Sequence, residues 1–146
     1  MDETASTLPG DVTHDASPVP SPGFELVGLD HVQLAMPPGG EDIARQFYGQ
    51  ILGLREVPKP SPLASRGGCW FEGDAVRLHL GVEAEFVPAR KAHPGLIVVG
   101  LDALVARLAQ ELGTAVRWSD EIPGTRRCHV HDPFGNRIEL IDGATP

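Results

Sequence analysis

The feature that most constrains the fold of this chain is an internal duplication. Residues 29–82 and residues 93–141 each show the pattern strand, helix, strand, strand, strand. The chain runs 48 residues from His31 to His79 and 46 residues from His93 to Glu139. The last strands of the halves read RLHL and RIEL. The sequence therefore predicts an α+β fold made of two tandem β-α-β-β-β modules.

Each half contains one segment with the apolar spacing of a helix that covers a sheet. In the first half, Ile43, Phe47 and Ile51 fall at four-residue steps. The second helix has such a stripe as well, formed by Leu101, Leu104, Val105, Leu108 and Leu112. Gly53 and Gly113 follow these segments, where glycine accepts the left-handed backbone that commonly ends a helix.

Composition separates the modules from the start of the chain. Residues 1–23 are rich in Pro, Ser, Thr, Asp and Gly and predict a disordered leader. A single domain is expected at 24–146, with module 1 at about 24–86 and module 2 at about 92–142. The Pro-, Ser- and Gly-rich stretch 57–68 is either a lid or a flexible connection.

The alternation of side chains along a strand divides each predicted sheet into a face that meets the helix and a face that points away. The polar side chains that point away, on the first and last strands of each half, are His31, Gln33, Arg77 and His79, then His93, Arg137 and Glu139. If these two faces meet, their histidines and the glutamate converge in one cup formed by a curved mixed sheet.

Four of these residues form a ligand set for a metal ion: His31, His79, His93 and Glu139. Three imidazoles and one carboxylate suit a divalent transition metal such as Zn, Ni, Fe, Co or Mn. A buried carboxylate without a partner would be destabilising or would change its pKa, and a bound cation removes that penalty. His79 is either a fourth ligand or the base, and we expect His79 and Glu139 to take part in catalysis.

The duplicated plan is accompanied by sequence motifs that resemble those of a known superfamily. LDHVQLAM with FYGQILGL, then LHLG, then AHP before VVGLDAL, and finally DPFGNRIELID are similar to the vicinal oxygen chelate superfamily. That superfamily includes glyoxalase I, methylmalonyl-CoA epimerase, extradiol dioxygenases, fosfomycin-modifying enzymes and metal-free bleomycin-binding proteins. The resemblance covers about residues 24–142 and implies metal ligands at the positions of the four residues named above.

The resemblance also implies a class of activity. In the metal enzymes of the superfamily, the ion binds two neighbouring substrate oxygens and stabilises the enolate or oxyanion that forms. A divalent-metal-dependent, glyoxalase-like enzyme is therefore expected, of isomerase/lyase or extradiol-dioxygenase type. Glyoxalase I usually has Glu or Gln where this chain has His79, so the sequence does not choose between these types. The alternative is a metal-free drug- or metabolite-binding protein. A homodimer is expected from the resemblance alone.

Other polar and aromatic side chains are candidates for binding a small substrate. Trp70 either stacks on the substrate or packs in the core, and His129 either contacts the substrate or only fills its position. Further candidates for polar contacts are Gln33, Arg77 and Arg137, each of which could equally be solvated.

Charge and cysteine content exclude other classes of partner. A formal net charge of −8 gives no electrostatic reason to bind nucleic acid or an anionic membrane surface. Cys69 and Cys128 have no metal-binding spacing and cannot form a dense disulfide framework, so a cytoplasmic location is expected.

Overall fold

The computed structural model of the protein describes residues 23–143, so all of the predicted leader except Gly23 lies outside the described residues. The strands of module 1 are β1 (Val32–Met36), β2 (Arg55–Val57), β3 (Cys69–Glu72) and β4 (Arg77–Val82). Those of module 2 are β5 (Gly95–Val98), β6 (Arg117–Ser119), β7 (Arg127–His131) and β8 (Arg137–Asp142). The helices are α1 (Glu41–Ala44), which continues as a π-helix (Arg45–Ile51), α2 (Ser61–Ala64) and α3 (Leu101–Leu112).

The strands form two four-stranded sheets with the same connectivity. Their orders are β1-β4-β3-β2 and β5-β8-β7-β6. The first strand of each module pairs in parallel with the last, and the remaining neighbours are antiparallel. The predicted α+β fold of two tandem β-α-β-β-β modules is therefore confirmed. The ladders join the strands of each module into its own mixed sheet, so β1 and β5 are both edge strands.

Equivalent rows of side chains cross the two sheets. In module 1 the row is Gln33, His79 and Trp70, on β1, β4 and β3. In module 2 the matching row is Gly95, Glu139 and His129, on β5, β8 and β7. The duplication therefore extends to register, and it places His79 and Glu139 at the same point of their sheets.

The first helix differs from the prediction in its winding and in the face it buries. The N–H of Leu52 donates to the carbonyl of Phe47 at 2.9 Å, five residues back, which is the hydrogen bond of a π-helix. Phe47, Tyr48 and Ile51 are buried, but Ile43 is 47% exposed. The predicted stripe is wrong at Ile43, because the buried face of the helix passes through Ala44 and Tyr48 instead.

A buried polar network joins the two modules. Tyr48 donates its hydroxyl to Asp132 Oδ2 at 2.6 Å. Asp132 Oδ1 accepts the backbone N–H groups of Phe134 and Asn136 at 2.9 and 2.8 Å. Asn136 Nδ2 donates to the carbonyl of Ala35, on β1, at 2.8 Å. The β7–β8 turn of module 2 is therefore anchored to the helix and the edge strand of module 1.

The stretch 57–68 contains a helical turn, α2, that the sequence analysis did not predict. The stretch is held against module 1, because the N–H of Gly68 donates to Glu41 Oε1 at 3.0 Å. Its role as a lid stays a prediction. None of the helices formed by residues 23–143 is long and apolar enough to cross a membrane.

Candidate metal centre

Three side chains of module 2 place possible metal ligands close together. Within the described part of the chain, the set of His, Cys, Asp or Glu ligand atoms lying within 4.8 Å of one another comes from His93, His129 and Glu139. Glu139 lies in the middle of β8, and His129 is its register partner on β7. His93 precedes β5, which flanks β8 on its other side. The three residues therefore come from three adjacent elements on one face of the sheet.

The His93 ring is oriented by a backbone contact. Its Nδ1 lies 2.6 Å from the carbonyl oxygen of Lys91, which only accepts, so this nitrogen carries the proton. In the neutral ring the lone pair then belongs to Nε2, which lies 3.4 Å from Glu139 Oε2. A metal ion bound between Nε2 and this oxygen would have both atoms as ligands. A carbonyl that fixes the second ring nitrogen is also typical of metal-binding histidines.

His129 presents a buried nitrogen without a partner. The side chain is 7% exposed, and its Nε2 has no hydrogen-bond partner among the described residues. This nitrogen lies 3.9 Å from Glu139 Oε1. Burial lowers the pKa of His129, and the nearby charge of Arg137 acts in the same direction. The ring is therefore neutral at neutral pH, which is the form that binds a metal.

Glu139 is a carboxylate with a charged partner. The hydrogen bond from Arg127 is the main reason that the pKa of Glu139 lies below its usual value. Arg127 Nη1 contacts Glu139 Oε1, and Nη2 donates to Ser119 Oγ at 3.1 Å and to Glu121 Oε2 at 3.2 Å. Glu139 is therefore ionised at neutral pH, with a guanidinium in contact with one of its oxygens.

The donor set of this centre fits a divalent transition metal. Two imidazoles and one carboxylate match the ligands that Zn, Fe, Co, Ni and Mn accept. Nε2 of His129 has no hydrogen-bond partner among the described residues, and Nε2 of His93 faces the same carboxylate, Glu139. A cation would satisfy both nitrogens, so the observed residues fit the ion that the sequence analysis predicted.

The other two predicted ligands lie together in module 1. The rings of His31 and His79 stack with centroids 4.3 Å apart, and Trp70 stacks on the other side of His79 at 4.0 Å. Asp30 Oδ2 lies 2.8 Å from His31 Nδ1. Burial lowers the pKa of His79. Among residues 23–143, no group of three close ligand atoms includes His31 or His79. The four-residue ligand set stays a prediction.

The predicted substrate-binding residues are divided between the two modules. Trp70 lies against His79, and Gln33 is the register partner of His79 on β1. Arg77 pairs with Asp30 at 2.8 Å and is half-exposed. Arg137, partly buried on β8, contributes its charge near His129. These placements are compatible with contacts to a ligand, and the assignments stay predictions.

A cleft of about 850 Å³ runs between the edge strands β1 and β5. His31 lines it on the side of module 1, and His93 lines it on the side of module 2. Most of the remaining lining is apolar, with Val32, Leu34, Leu96 and Ile97 among its residues. The cleft therefore reaches one histidine of each cluster, and it is large enough for a small molecule.

Sequence reasoning missed two charged residues of these clusters. Arg127 was not singled out, although alternation along RRCHVHD places it on the same face as His129. Asp30, next to His31, is the second. His129 was predicted either to contact substrate or only to fill its position, because the alignment of the two halves pairs it with Trp70, which is not a ligand type. The signal that could have identified it is its position directly across the ladder from Glu139.

No protein-family model matches the chain, and no curated protein does. Solved structures do match. A protein assigned to the glyoxalase family from Bacillus anthracis is 44% identical, with a TM-score of 0.77, over 82% of this chain and 97% of that one. Lactoylglutathione lyase from Agrobacterium tumefaciens is 20% identical, with a TM-score of 0.56, over 77% and 92% of the two chains.

An antibiotic-binding protein from a Streptomyces species is 24% identical, with a TM-score of 0.57, over 81% of this chain and 98% of that one. The two more distant structures show a shared fold only. The identity and coverage of the Bacillus anthracis protein show more than a shared fold. With the duplicated modules, they establish that this chain belongs to the glyoxalase family of the vicinal oxygen chelate superfamily.

Proposed function

We propose that the protein is a divalent-metal-dependent, glyoxalase-like enzyme of isomerase or lyase type that binds a small substrate through adjacent oxygen atoms. The observation that carries the proposal is the convergence of ligand atoms from His93, His129 and Glu139, in which Nε2 of His129 is buried and has no hydrogen-bond partner among the described residues. Membership of the glyoxalase family supports the same reading. The cleft between β1 and β5 is the proposed route of the substrate to this centre.

Each residue of the two clusters has a proposed role in the reaction. His93, His129 and Glu139 would hold the ion, which supplies Lewis-acid polarisation of substrate oxygens. His79 is the proposed base, because its lowered pKa keeps a neutral imidazole ready to accept a proton. The rings of Trp70 and His31 stack on the two sides of His79 and fix the plane in which its nitrogens lie.

We also propose that the protein is a homodimer, in which His31 and His79 of one copy can approach the metal centre of the other. The segment that precedes β1 supports association. Leu26, Val27 and Leu29 are each at least 80% exposed there, and Ile97 on the edge strand β5 is 73% exposed. Apolar surface of this kind is stabilised when a second molecule covers it. Sedimentation equilibrium of the metal-loaded protein tests the proposal, and a monomer at all concentrations would contradict it.

A second activity is favoured by the composition of the centre. Two imidazoles and one carboxylate are the ligand set of many non-haem Fe(II) oxygenases. Anaerobic loading with Fe(II), followed by oxygen and a panel of catechols, tests for ring cleavage. Turnover of hemithioacetals with Zn, Ni or Co supports the isomerase or lyase instead.

The central experiment measures metal binding. Purified protein, prepared without chelator, is analysed for metal content, and the affinity for Zn²⁺, Co²⁺ and Ni²⁺ is then measured by calorimetry. Glu139→Ala and His129→Ala should each lower affinity by at least about tenfold, because each removes one of three ligands. His131→Ala is the matched control, since it removes an exposed imidazole from the same strand, and its affinity should stay unchanged.

Two outcomes would contradict the proposal. One is a metal content far below one ion per chain that reconstitution does not raise. The other is a Glu139→Ala variant that binds metal as well as the His131→Ala control does. Either result would favour a metal-free protein that binds a small molecule in the cleft.

A further inference from the structure

Arg127 is a buried cation beside the proposed metal centre. The residue is 9% exposed and lies on β7, two positions before His129. Its register partners are Ile141 on β8 and Ser119 on β6. Burying a guanidinium is costly unless its donors are paired. The way in which these donors are paired is therefore informative.

The donors of Arg127 are paired unequally. Nη2 donates to Ser119 Oγ, at the end of β6, and to Glu121 Oε2, two residues further along the chain. Among the residues that the structure describes, the partner of Nη1 is Glu139 Oε1. Nε is buried and has no partner among the described residues. One end of the guanidinium is thus anchored away from the centre, while Nη1 depends on the carboxylate that would also hold a metal.

Metal binding would change this pairing. Glu139 Oε1, the oxygen that contacts Arg127, also lies nearest to the unpaired nitrogen of His129. If the carboxylate turns to a cation, Nη1 loses its partner and joins Nε as an unsatisfied donor. A divalent cation beside Arg127, with Glu139 and Glu121 as the paired carboxylates, also leaves surplus positive charge. Both effects favour a ligand that brings a negative charge.

We propose that Arg127 neutralises Glu139 in the metal-free protein and, once a cation takes Glu139, binds the carboxylate of a 2-hydroxy or 2-oxo acid substrate. The inference rests on the proposed metal function and narrows its substrate class. It makes Arg127 a competitor of the metal and a contact for the substrate anion. Removing Arg127 should therefore strengthen the binding of the ion and weaken the binding of the acid.

The first experiment compares metal affinity in three proteins by calorimetry with Zn²⁺. Arg127→Gln should bind the ion at least about tenfold more tightly than the wild type, because a charge-assisted hydrogen bond no longer has to break. Arg126→Gln is the matched control. It removes the same charge one residue away, where the side chain pairs with Asp102 and Asp142. Its affinity should stay within about twofold of the wild type.

The second experiment measures ligand binding to the Zn-loaded proteins. The probes are 2-hydroxyisobutyrate and its neutral amide, which share a hydroxyl and a carbonyl oxygen on adjacent carbons and have no hydrogen on the carbon that bears the hydroxyl. Arg127→Gln should bind the acid at least about tenfold more weakly than the wild type, while its affinity for the amide stays within about twofold. Arg127→Lys keeps the charge without the planar fork of donors, and should give intermediate affinity for the acid. If Arg127→Gln does not fold, Arg127→Lys still tests the proposal.

The outcomes separate this inference from the proposed function. One outcome is Zn²⁺ binding that depends on Glu139 but is no tighter in Arg127→Gln than in Arg126→Gln. This outcome overturns the proposed competition between Arg127 and the metal for Glu139, and it leaves the metal centre intact. An unchanged affinity of Arg127→Gln for the acid overturns the assignment of substrate class. Absence of Zn²⁺ binding in the wild type removes both the inference and the function on which it rests.

Discussion

Replacing Asp132 with alanine should destabilise the protein more than any substitution of an exposed carboxylate. Asp132 is 4% exposed and accepts the hydroxyl of Tyr48, the side-chain amide of Asn136 and two backbone N–H groups of the β7–β8 turn. The alanine side chain can accept none of them. The hydrogen-bond donors that lose their acceptor are therefore buried, and water cannot replace the carboxylate.

The magnitude follows from counting what is left unpaired. Tyr48 is fully buried, and a buried hydroxyl without a partner costs about 1–3 kcal/mol. Each of the two turn N–H groups loses an interaction of about 1 kcal/mol. The free energy of unfolding should fall by about 3–5 kcal/mol, a large part of the total for a domain of this size.

A double-mutant cycle with Tyr48→Phe tests the reason for this loss. Tyr48→Phe alone removes a hydrogen bond to a charged acceptor and should cost about 1.5–3 kcal/mol. In the Asp132→Ala background the same change should cost at least about 1 kcal/mol less, because it removes the stranded hydroxyl. Urea denaturation followed by tryptophan fluorescence, in the presence of chelator, measures all four proteins without any contribution from bound metal.

Asp74→Ala serves as the control, because Asp74 is an exposed aspartate between β3 and β4. Its effect should stay within about 0.5 kcal/mol. The reasoning is refuted if Asp132→Ala is no more destabilising than Asp74→Ala, or if the two substitutions of the cycle are simply additive.

Two further predictions concern backbone and pH. Gly68→Ala should cost more than about 3 kcal/mol, because the residue has a φ of +87° and an added Cβ would overlap the carbonyl oxygen of Leu80. Gly53→Ala, with a φ of +75° but open space around it, should cost only about 1 kcal/mol, and equal midpoints in urea would contradict this difference. Burial lowers the pKa of His79 and of His129 below 6.5, so the unfolded chain takes up protons first. Stability should therefore be complete above that pH and decrease as the pH falls below it. The double variant His79→Gln/His129→Gln should lose less free energy of unfolding than the wild type when the pH falls from about 7.5 to about 5.5, as measured by urea titrations. A loss equal to that of the wild type would contradict the lowered pKa values of the two histidines.

The fold could be predicted because its information is local and repeated. Alternation along each strand assigns the faces, and the two nearly equal spacings from His31 to His79 and from His93 to Glu139 identify equivalent strands. The winding of the first helix could not be predicted in this way. Its apolar residues allow both an α-helix and a π-helix, and the choice depends on packing against the sheet.

The candidate site was predictable only within each module. His93 and Glu139 were assigned correctly to one face, since both positions follow from strand alternation. The relative placement of the modules depends on contacts between residues far apart in sequence, such as the bond from Asn136 to Ala35 across 101 residues. No pattern of spacing encodes such a contact. The pairing of Arg127 with Glu139 was missed for a related reason, because this contact depends on the geometry of the two side chains.

The β7–β8 turn has a mechanical consequence for the site. His129 lies three residues before Asp132, and Glu139 lies three residues after Asn136, so one hairpin carries two proposed ligands on its strands and the cross-module anchor at its tip. If module 1 tilts relative to module 2, the anchor pulls on the tip, and the paired strands transmit that pull to both ligand side chains. The distance between His129 and Glu139, and with it the geometry of the proposed metal centre, is thereby coupled to the angle between the two modules.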